Sequence, residues 1–422
     1  MKCKIEKSRI SGEVVCPSNK SYTHRAIFLS ALSDGKSIIK KVLHSRDTNA
    51  TISACRAFGV EVDESEDTIT IENSIGSTIQ GSMINAQNSG TTLRIATAIA
   101  ALSGGITELT GDDSLKKRPM RPFLDSLEKL GVNTESDDGK PPITIKGKIN
   151  GDHVNINGNI SSQFISALLI IGPRLDNGLT IEIDGDVVSK PYIDLTITAM
   201  KKFGVDVKVI ESYKKYSIEH QIYKPTTFTI PSDFSNLALL LAANVLLGDN
   251  LKIKISLGEL PQGDEEIIDI LEKLGVVVTL DGSTITTRSP ELLDGGKFDL
   301  SSTPDLLPAI AILALKCKNP IEIYNVKHAR YKETDRIAII CKELEKIGIT
   351  VSEKDDGMIL KKSDIINGVE LDSHGDHRLF MAFSIVAMSI GDCLVTDPDS
   401  VDVSYPKFIS DMQHCGARIS MM

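Results

Sequence analysis

The stretch KLGVVV, residues 273–278, contains the pattern that decides the fold: an amphipathic helix ends at a glycine and a β-branched strand follows. The same pattern occurs six times in the 422 residues, at intervals of 68 to 73 residues. Its glycines are Gly59, Gly131, Gly204, Gly275, Gly348 and Gly416. Glycine suits the left-handed position that ends many helices, because it has no Cβ. The pattern therefore predicts six related α/β units.

Each unit also contains a second helix, which is small and apolar on all sides. The six apolar segments begin at His24, Thr92, Gln163, Phe234, Leu306 and His377. A helix without a polar face is normally buried, so each unit should place one helix inside and one outside. Six units divide most simply into two domains of three, and we expect the chain to cross between them near Pro225–Pro231.

Composition excludes several classes of protein. The chain has 47 Lys and Arg against 57 Asp and Glu, a net charge of −10, which argues against a nucleic-acid partner. Its most apolar stretch, Leu237 to Leu247, is too short to span a membrane, and the start MKCKIEKSRI has no apolar signal region. The seven cysteines are scattered and never in CxxC spacing, which argues against a disulfide framework or a zinc ribbon. We therefore expect a cytoplasmic protein.

Polar clusters occur where loops enter the apolar helices, at residues 17–25, 88–94 and 161–163. Free N–H groups at a helix start form a natural anion site. Helix capping by Ser, Thr and Asn is the alternative for each cluster alone. Lys20 and Arg25 favour an anion in the first cluster, because a cap needs no cation.

Charged clusters follow at residues 116–119, 331–336 and 374–378. Solvated charge runs are the alternative, but the recurrence of cations at successive unit starts favours a shared role. His374 and His377 lack a third ligand at a recognisable spacing, so we expect no metal site. Asp305 and Glu333 are candidates for acid–base chemistry, although Asp305 alone could be a helix first-turn acid.

Eight strings in order resemble the 5-enolpyruvylshikimate-3-phosphate (EPSP) synthase family. They are PSNKSYTHR, NSGTTLR, KKRP, SSQF, GDVVSKPYID, a Pro-Asp before an apolar helix, KETDR and DHR, and they extend from about Lys20 to Pro406. The resemblance implies an α/β enolpyruvyl transferase fold of two domains, each an inside-out α/β barrel of three βαβαββ units. Domain I would comprise residues 1–15 and 229–422, with the phosphoenolpyruvate-side and acid–base residues. Domain II would comprise residues 16–228 and bind shikimate 3-phosphate.

The resemblance also implies the reaction. The enolpyruvyl group of phosphoenolpyruvate is transferred to the 5-hydroxyl of shikimate 3-phosphate, with release of phosphate, through a tetrahedral intermediate formed by addition and broken by elimination. The reaction belongs to chorismate and aromatic amino acid biosynthesis and uses no cofactor or metal. Both substrates are anionic, which fits the seven candidate cations Lys20, Arg25, Arg94, Arg118, Lys332, Arg336 and Arg378. We expect small-molecule substrates, no membrane partner and a monomer.

Residue roles follow from the resemblance position by position. Asp305 would take the proton from the 5-hydroxyl, and Glu333, helped by Lys20, would exchange the proton at the enol carbon. Shikimate 3-phosphate would be held by Lys20, Ser21, Arg25, Ser161, Ser162, Gln163, Ser189, Asp305 and Lys332, with Tyr192 close by. Phosphoenolpyruvate would be held by Lys20, Asn88, Gly90, Arg118, Gln163, Arg336 and Arg378. Arg94 is expected to support the site rather than to contact substrate.

Four positions depart from the family pattern. Val403 stands where many members have a lysine, with Lys407 nearby, and His328 and Ser114 replace a common asparagine and arginine. Gly90-Thr91 resembles the glyphosate-sensitive pattern, but Ile95 replaces a proline that is common in that loop; we expect inhibition by glyphosate.

Two other functions remain as alternatives. The sister transferase acting on UDP-N-acetylglucosamine uses a reactive cysteine in most members, and residues 111–118 contain none. A non-catalytic anion-binding protein would be expected to lack Asp305, Glu333 or Lys20, and all three are present.

Overall fold

The computed structural model describes residues 1–72, 82–364 and 368–422, and within these ranges the chain is a mixed α/β structure. The strands are β1 Lys2–Ile5, β2 Ile10–Val15, β3 Ser37–Lys40, β4 Glu61–Glu64, β5 Thr68–Glu72, β6 Met83–Asn85, β7 Ile106–Thr110, β8 Asn133–Asp137, β9 Lys140–Lys146, β10 His153–Asn157, β11 Leu179–Asp184, β12 Lys208–Glu211, β13 Lys215–Ile218, β14 Thr227–Thr229, β15 Gly248–Lys254, β16 Val277–Asp281, β17 Thr284–Arg288, β18 Gly296–Asp299, β19 Ile321–Tyr324, β20 Thr350–Lys354, β21 Gly357–Lys361, β22 Glu370–Leu371, β23 Cys393–Thr396 and β24 Ile419–Met421. The helices are α1 Lys20–Ala31, α2 Arg46–Ala57, α3 Gly90–Ala100, α4 Arg121–Lys129, α5 Ser162–Ile171, α6 Pro191–Lys202, α7 Phe234–Leu247, α8 Glu266–Lys273, α9 Leu307–Ile312, α10 Arg336–Lys346, α11 His377–Ile390 and α12 Phe408–His414.

The described strands form six four-stranded sheets with one common topology. Each sheet has a parallel pair at one edge, followed by two antiparallel pairs. The strand orders are β14-β3-β5-β4, β6-β7-β9-β8, β10-β11-β13-β12, β2-β15-β17-β16, β18-β19-β21-β20 and β22-β23-β1-β24. The six related α/β units predicted from the glycine pattern are confirmed.

The chain divides into two compact units. Unit 1 comprises residues 1–17, 232–257 and 263–422, and unit 2 comprises residues 18–231 and 258–262. The strand that precedes α1 belongs to unit 1, whereas the strand that precedes α7 belongs to unit 2, where it pairs in parallel with β3. The chain therefore passes between the units after residues 17, 231, 257 and 262, whereas the sequence predicts passages after residues 15 and 228.

The six glycines of the repeat end the outer helices. Their φ angles lie between 78° and 107°, a region that side chains with a Cβ rarely adopt. At Gly131, an added Cβ would also collide with the side chain of Asn150. Each glycine lets the chain reverse from an outer helix into the next strand, as the sequence pattern predicted.

The apolar helices form the core of each unit. Helices α1, α3 and α5 are buried in unit 2, and α7, α9 and α11 are buried in unit 1, whereas the helices between them bury one face. Burial of one Leu, Ile or Phe side chain contributes about 1.5–3 kcal/mol, so these helices fix the fold of each unit. No helix in the described residues is long and apolar enough to cross a membrane.

Polar side chains begin most of the inner helices. Asn19, Ser89, Ser161, Asp233 and Asp376 each accept hydrogen bonds from free N–H groups of the following first turn. Several of the candidate site residues lie at or beside these helix starts.

Candidate active site

Helix α1 of unit 2 begins with a lysine that is held by a neighbouring helix. Lys20 Nζ donates to Oδ2 of Asp47 at 2.9 Å, and Asp47 lies in the first turn of α2. The side chains are only 14% and 5% exposed. The ammonium group of Lys20 is thus fixed beside a buried carboxylate.

Arg25 is a fully buried cation of the same helix. Its guanidinium donates to Thr196 Oγ1 at 2.7 Å, to the Ser21 carbonyl at 3.0 Å, to Ser166 Oγ at 3.3 Å and to the Tyr192 carbonyl at 3.4 Å. All four acceptors are uncharged. Burial lowers the pKa of Arg25 to about 10, which still leaves it charged at neutral pH. A buried cation with these neutral partners is suited to an anionic ligand.

The start of α3 brings a glycine against two guanidinium groups. Asn88 donates to Asp112 Oδ2 at 2.8 Å and accepts a hydrogen bond from Arg118 Nη2 at 3.3 Å. A Cβ at Gly90 would collide with the guanidinium of Arg94 and lie 3.0 Å from Arg118 Nη1. The absence of a side chain at Gly90 allows this close approach.

The start of α5 is joined to α3 through a glutamine. Oε1 of Gln163 accepts a hydrogen bond from Arg94 Nη1 at 2.5 Å, and Nε2 donates to Thr91 Oγ1 at 3.2 Å. The Arg94 guanidinium carbon lies 5.3 Å from the centre of the Phe164 ring. Ser161 caps α5 by accepting a hydrogen bond from the backbone N–H of Gln163, and the next residue, Ser162, is buried.

Ser189, just before α6, has a left-handed backbone with φ of 54°. Such a conformation is uncommon for a residue with a Cβ. Its carbonyl accepts a hydrogen bond from the N–H of Tyr192 at 3.1 Å, and its side chain is almost completely buried. The turn therefore places a buried hydroxyl group at the start of α6.

In unit 1, three cations surround one carboxylate. Asp305 lies in a 3₁₀ turn, Pro304–Leu306, before α9. Its Oδ1 is 2.9 Å from Arg336 Nη1 and 3.5 Å from Lys332 Nζ, and its Oδ2 is 3.6 Å from Arg378 Nη2. The predicted acid–base residue and three predicted anion ligands are thus in direct contact.

Arg336 is the centre of this group. Its Nε donates to Asp376 Oδ2 at 2.7 Å, and its Nη2 donates to Glu333 Oε2 at 2.8 Å. Burial alone would lower the pKa of Arg336, but the carboxylates of Asp376, Glu333 and Asp305 raise it above its ordinary value. One guanidinium group therefore positions three carboxylates.

Lys332 and Arg378 complete the group in unit 1. Burial lowers the pKa of Lys332, and Asp305 and Glu333 oppose this shift. Arg378 Nη2 donates to Ser235 Oγ at 2.7 Å. Lys332 and Arg378 thus add two further cationic groups around Asp305.

The structure also shows the surroundings of positions that depart from the family pattern. His328 is buried, and burial and Lys332 lower its pKa to about 4 although Asp305 raises it, so it is neutral at pH 7. Val403 is buried, whereas Lys407 is exposed before α12. In the described part of the chain, no three His, Cys, Asp or Glu side chains form a group that could hold a metal ion.

Several partners of the predicted residues were not identified from the sequence. They are Asp47, Asp112, Ser166, Thr196 and Asp376. Ser166 gave a signal that could have been used, because it is a polar residue within the apolar segment FISALLII. The structure shows that it faces Arg25.

Comparison with known proteins gives matches along the whole chain. A family model described as EPSP synthase (3-phosphoshikimate 1-carboxyvinyltransferase) matches residues 5–412. A 3-phosphoshikimate 1-carboxyvinyltransferase of Nitrosopumilus maritimus is 56% identical over 99% of both chains. One of Methanosarcina mazei is 42% identical, again over 99% of both chains.

Solved structures match in fold. An EPSP synthase of Acinetobacter baumannii has a TM-score of 0.80 at 23% identity and covers 100% of both chains. The enolpyruvyl transferase NikO of Streptomyces tendae has a TM-score of 0.80 at 18% identity, over 99% of this chain and 98% of its own. These two structures confirm the predicted enolpyruvyl transferase fold. The family model and the 56% identical relative show that the chain belongs to the EPSP synthase family.

Proposed function

We propose that the charged and polar side chains at the helix starts described above carry out the reaction of this family. The chain is an enolpyruvyl transferase of aromatic amino acid biosynthesis. It transfers the enolpyruvyl group of phosphoenolpyruvate to the 5-hydroxyl of shikimate 3-phosphate and releases phosphate. A proton must leave the 5-hydroxyl, and the methylene carbon of phosphoenolpyruvate must first gain a proton and later lose one.

One observation carries the assignment of the acid–base groups. Arg336 holds Asp305 through Nη1 at 2.9 Å and Glu333 through Nη2 at 2.8 Å. A single guanidinium therefore fixes two carboxylates next to each other. The reaction has two sites of proton transfer, and this pair supplies one carboxylate for each.

We propose the following order of steps. Asp305, as a carboxylate, accepts the proton of the 5-hydroxyl while this oxygen attacks the C2 carbon of phosphoenolpyruvate. Glu333 donates a proton to the methylene carbon, which becomes a methyl group in the tetrahedral intermediate. In the elimination Glu333, with Lys20, takes a proton back from the methyl group as the C2–phosphate bond breaks. Phosphate leaves with the proton that Asp305 took from the 5-hydroxyl, and the enol double bond is restored.

For shikimate 3-phosphate, unit 2 supplies a buried cation and several hydroxyl groups. We assign the substrate carboxylate to Arg25, because this buried guanidinium has four neutral partners. The remaining assigned ligands in unit 2 are Lys20, Ser21, Ser161, Ser162, Gln163 and Ser189. We assign Lys332 to the phosphate and Asp305 to the 5-hydroxyl.

For phosphoenolpyruvate, unit 2 supplies the start of α3 and the cations that contact it. We assign Lys20, Asn88, Gly90, Arg118 and Gln163 to this substrate. The exposed N–H groups of a helix start favour a phosphate or carboxylate. Arg336 and Arg378 are assigned to phosphoenolpyruvate as well. We further propose that the enzyme acts as a monomer in the cytoplasm and needs no cofactor.

The decisive experiment measures phosphate release with phosphoenolpyruvate and shikimate 3-phosphate together, and with each omitted. We expect release only with both. The variants Glu333→Gln and Asp305→Asn should lower kcat by about 100-fold or more, because each removes a group that moves a proton in the transition state. Glu353→Gln is the matched control, since Glu353 accepts a hydrogen bond from Arg330 at 2.8 Å much as Glu333 does from Arg336.

Two outcomes would contradict the proposal. Release with UDP-N-acetylglucosamine in place of shikimate 3-phosphate would assign the chain to the sister reaction. Full activity of the Glu333 and Asp305 variants would refute their roles while leaving the family assignment intact.

A further inference from the structure

A chain of buried hydroxyl groups in unit 2 connects a histidine to the start of α3. His24 Nδ1 is 2.6 Å from Thr51 Oγ1, which is 2.7 Å from Thr92 Oγ1. Thr92 Oγ1 donates to Ser89 Oγ at 2.7 Å. All four side chains are completely buried. We call this the His24–Ser89 chain.

Both ends of this chain lie next to residues that we assign to phosphoenolpyruvate. His24 is one turn after Lys20 on α1, and Thr51 is one turn after Asp47 on α2. The Lys20–Asp47 ion pair and the His24–Thr51 hydrogen bond are thus successive links between the same two helices. At the other end, Ser89 caps α3 immediately before Gly90.

The hydrogen bonds of the His24–Ser89 chain can run in only one direction. A threonine hydroxyl has a single hydrogen, and that of Thr92 is donated to Ser89 Oγ or to the Asp47 carbonyl, 3.4 Å away. Thr51 must therefore donate to Thr92. It follows that His24 must donate to Thr51 from Nδ1.

The surroundings of His24 agree with this direction. Among the residues that the structure describes, its Nε2 has no hydrogen-bond partner, as expected for an unprotonated nitrogen in a buried ring. Burial, Lys20 and Arg25 lower the pKa of His24 well below its ordinary value, which keeps the ring neutral. A neutral ring with its proton on Nδ1 satisfies both conditions.

We propose that His24 is a positioning residue for phosphoenolpyruvate: its Nδ1–H, acting through Thr51 and Thr92, holds α2 and the cap of α3, and so holds Lys20 and Gly90. The inference rests on the proposed roles of Lys20 and Gly90. It adds a requirement for one tautomer of His24, because the opposite tautomer would leave two acceptors facing each other in the interior.

Two substitutions of His24 separate positioning from packing. The side-chain amide nitrogen of Asn can take the place of Nδ1, whereas that of Gln reaches towards the place of Nε2. We expect KM for phosphoenolpyruvate in His24→Asn to stay within about threefold of that of the enzyme without substitutions. In His24→Gln this KM should rise by about 10-fold or more. In both variants kcat and KM for shikimate 3-phosphate should change little. Thr51→Val should match His24→Gln, and the double variant should show no further loss.

Thr97→Val is the matched control. Thr97 is a completely buried threonine of α3, but its hydroxyl donates at 2.7 Å to the Leu93 carbonyl of its own helix. Its substitution should leave KM for phosphoenolpyruvate unchanged. An equal rise of this KM in Thr97→Val and Thr51→Val would overturn the proposal, since it would show a general effect of lost buried hydroxyls.

A direct test observes the ring of His24 by ¹⁵N NMR of the full chain, with the signal assigned by its loss in His24→Asn. We expect a proton on Nδ1 and no titration between pH 8 and pH 5.5. A proton on Nε2 would overturn this inference but not the proposed function. The same holds if the enzyme is active and His24→Gln leaves KM for phosphoenolpyruvate unchanged. If the enzyme without substitutions released no phosphate, both the proposed function and the positioning role of His24 would be refuted.

Discussion

Arg94 Nη1 donates a hydrogen bond to Gln163 Oε1 at 2.5 Å, and this contact determines the orientation of the glutamine amide. A guanidinium group has only donors, so it requires the amide oxygen on its side. Nε2 consequently points the other way, where it donates to Thr91 Oγ1. In the proposed site, this orientation would let Gln163 offer an N–H group to an anionic substrate.

We expect Arg94→Met to lower kcat/KM for phosphoenolpyruvate by about 10- to 100-fold, because a hydrogen bond to a charged group contributes about 1.5–3 kcal/mol. Arg94→Lys keeps a donor and should lose less. If the effect passes through Gln163, adding Arg94→Met to Gln163→Ala should change little. Steady-state kinetics of the four variants measure this, with exposed Lys116→Met as control. Additive losses would contradict the coupling.

Asp376 should be required to position Arg336. In Asp376→Asn the amide can still cap α11, but the buried guanidinium loses one of its three carboxylate partners, the one at 2.7 Å. We expect KM for phosphoenolpyruvate to rise by about 10-fold or more, since the contacts with Asp305 and Glu333 alone hold Arg336 less firmly. Kinetics and a thermal unfolding curve should be measured together.

The matched control for this variant is Asp335→Asn. Asp335 caps α10 and accepts a hydrogen bond from Arg330 at 2.7 Å, so it has the same chemistry outside the assigned groups. An equal loss of activity in both variants would show that capping, rather than the position of Arg336, is responsible.

Gly90→Ala should weaken binding of phosphoenolpyruvate. The new methyl group requires Arg94 and Arg118 to move, and overpacking of this kind is costly. We expect KM for phosphoenolpyruvate to rise by about 10-fold, and inhibition by glyphosate to weaken in the same variant. Gly104→Ala is the control, because a Cβ there has no neighbour within 4 Å. A glyphosate curve of the unchanged enzyme that stays flat into the millimolar range would refute the expected inhibition.

The buried His328 should make the protein less stable in acid. Its pKa is lowered from 6.5 to about 4 in the folded chain, so between these values the unfolded chain binds a proton that the folded chain does not. The contribution of His328 to stability is therefore fully present above about pH 6.5 and is lost as the pH falls towards 4. The loss from this residue amounts to about 3 kcal/mol.

Urea unfolding at pH 7 and at pH 4.5 measures this loss. His328→Asn should show a smaller fall in unfolding free energy than the unchanged protein. The same substitution at His153, whose side chain is 51% exposed, should leave the fall unchanged. A fall that is equal in all three proteins would contradict a contribution from His328.

The repeated architecture could be predicted from the sequence because its signals are local. A glycine such as Gly275 and the apolar residues of the helix before it lie within one short stretch, and φ at Gly275 is 89° as the pattern requires. The inner helices were located by the same reasoning. Helix α9 is shorter than its apolar segment indicates, because 3₁₀ turns at Pro304–Leu306 and Leu313–Lys316 flank it.

The partners of the site residues could not be predicted, because they join distant parts of the chain. Arg336 and Asp376 are 40 residues apart, and Arg25 and Thr196 are 171 residues apart. Each residue also has a sufficient local explanation, since Asp376 is a helix cap and Thr196 an ordinary helical residue. Only the packing of the helices shows which cap also holds a cation.

The pairing of β1 with β23 and β24 determines when unit 1 can be completed during synthesis. Lys2 to Ile5 pair with Cys393 to Thr396 and with Ile419 to Met421, so the third sheet of this unit joins its earliest and latest residues. A ribosome adding about 5–20 residues per second needs about 20–80 s to make the chain between them. Unit 2, which is almost entirely contained in residues 18–231, is made long before then. Strand β1 therefore stays without its partners in the nascent chain until β23 has been made, whereas unit 2 can already fold.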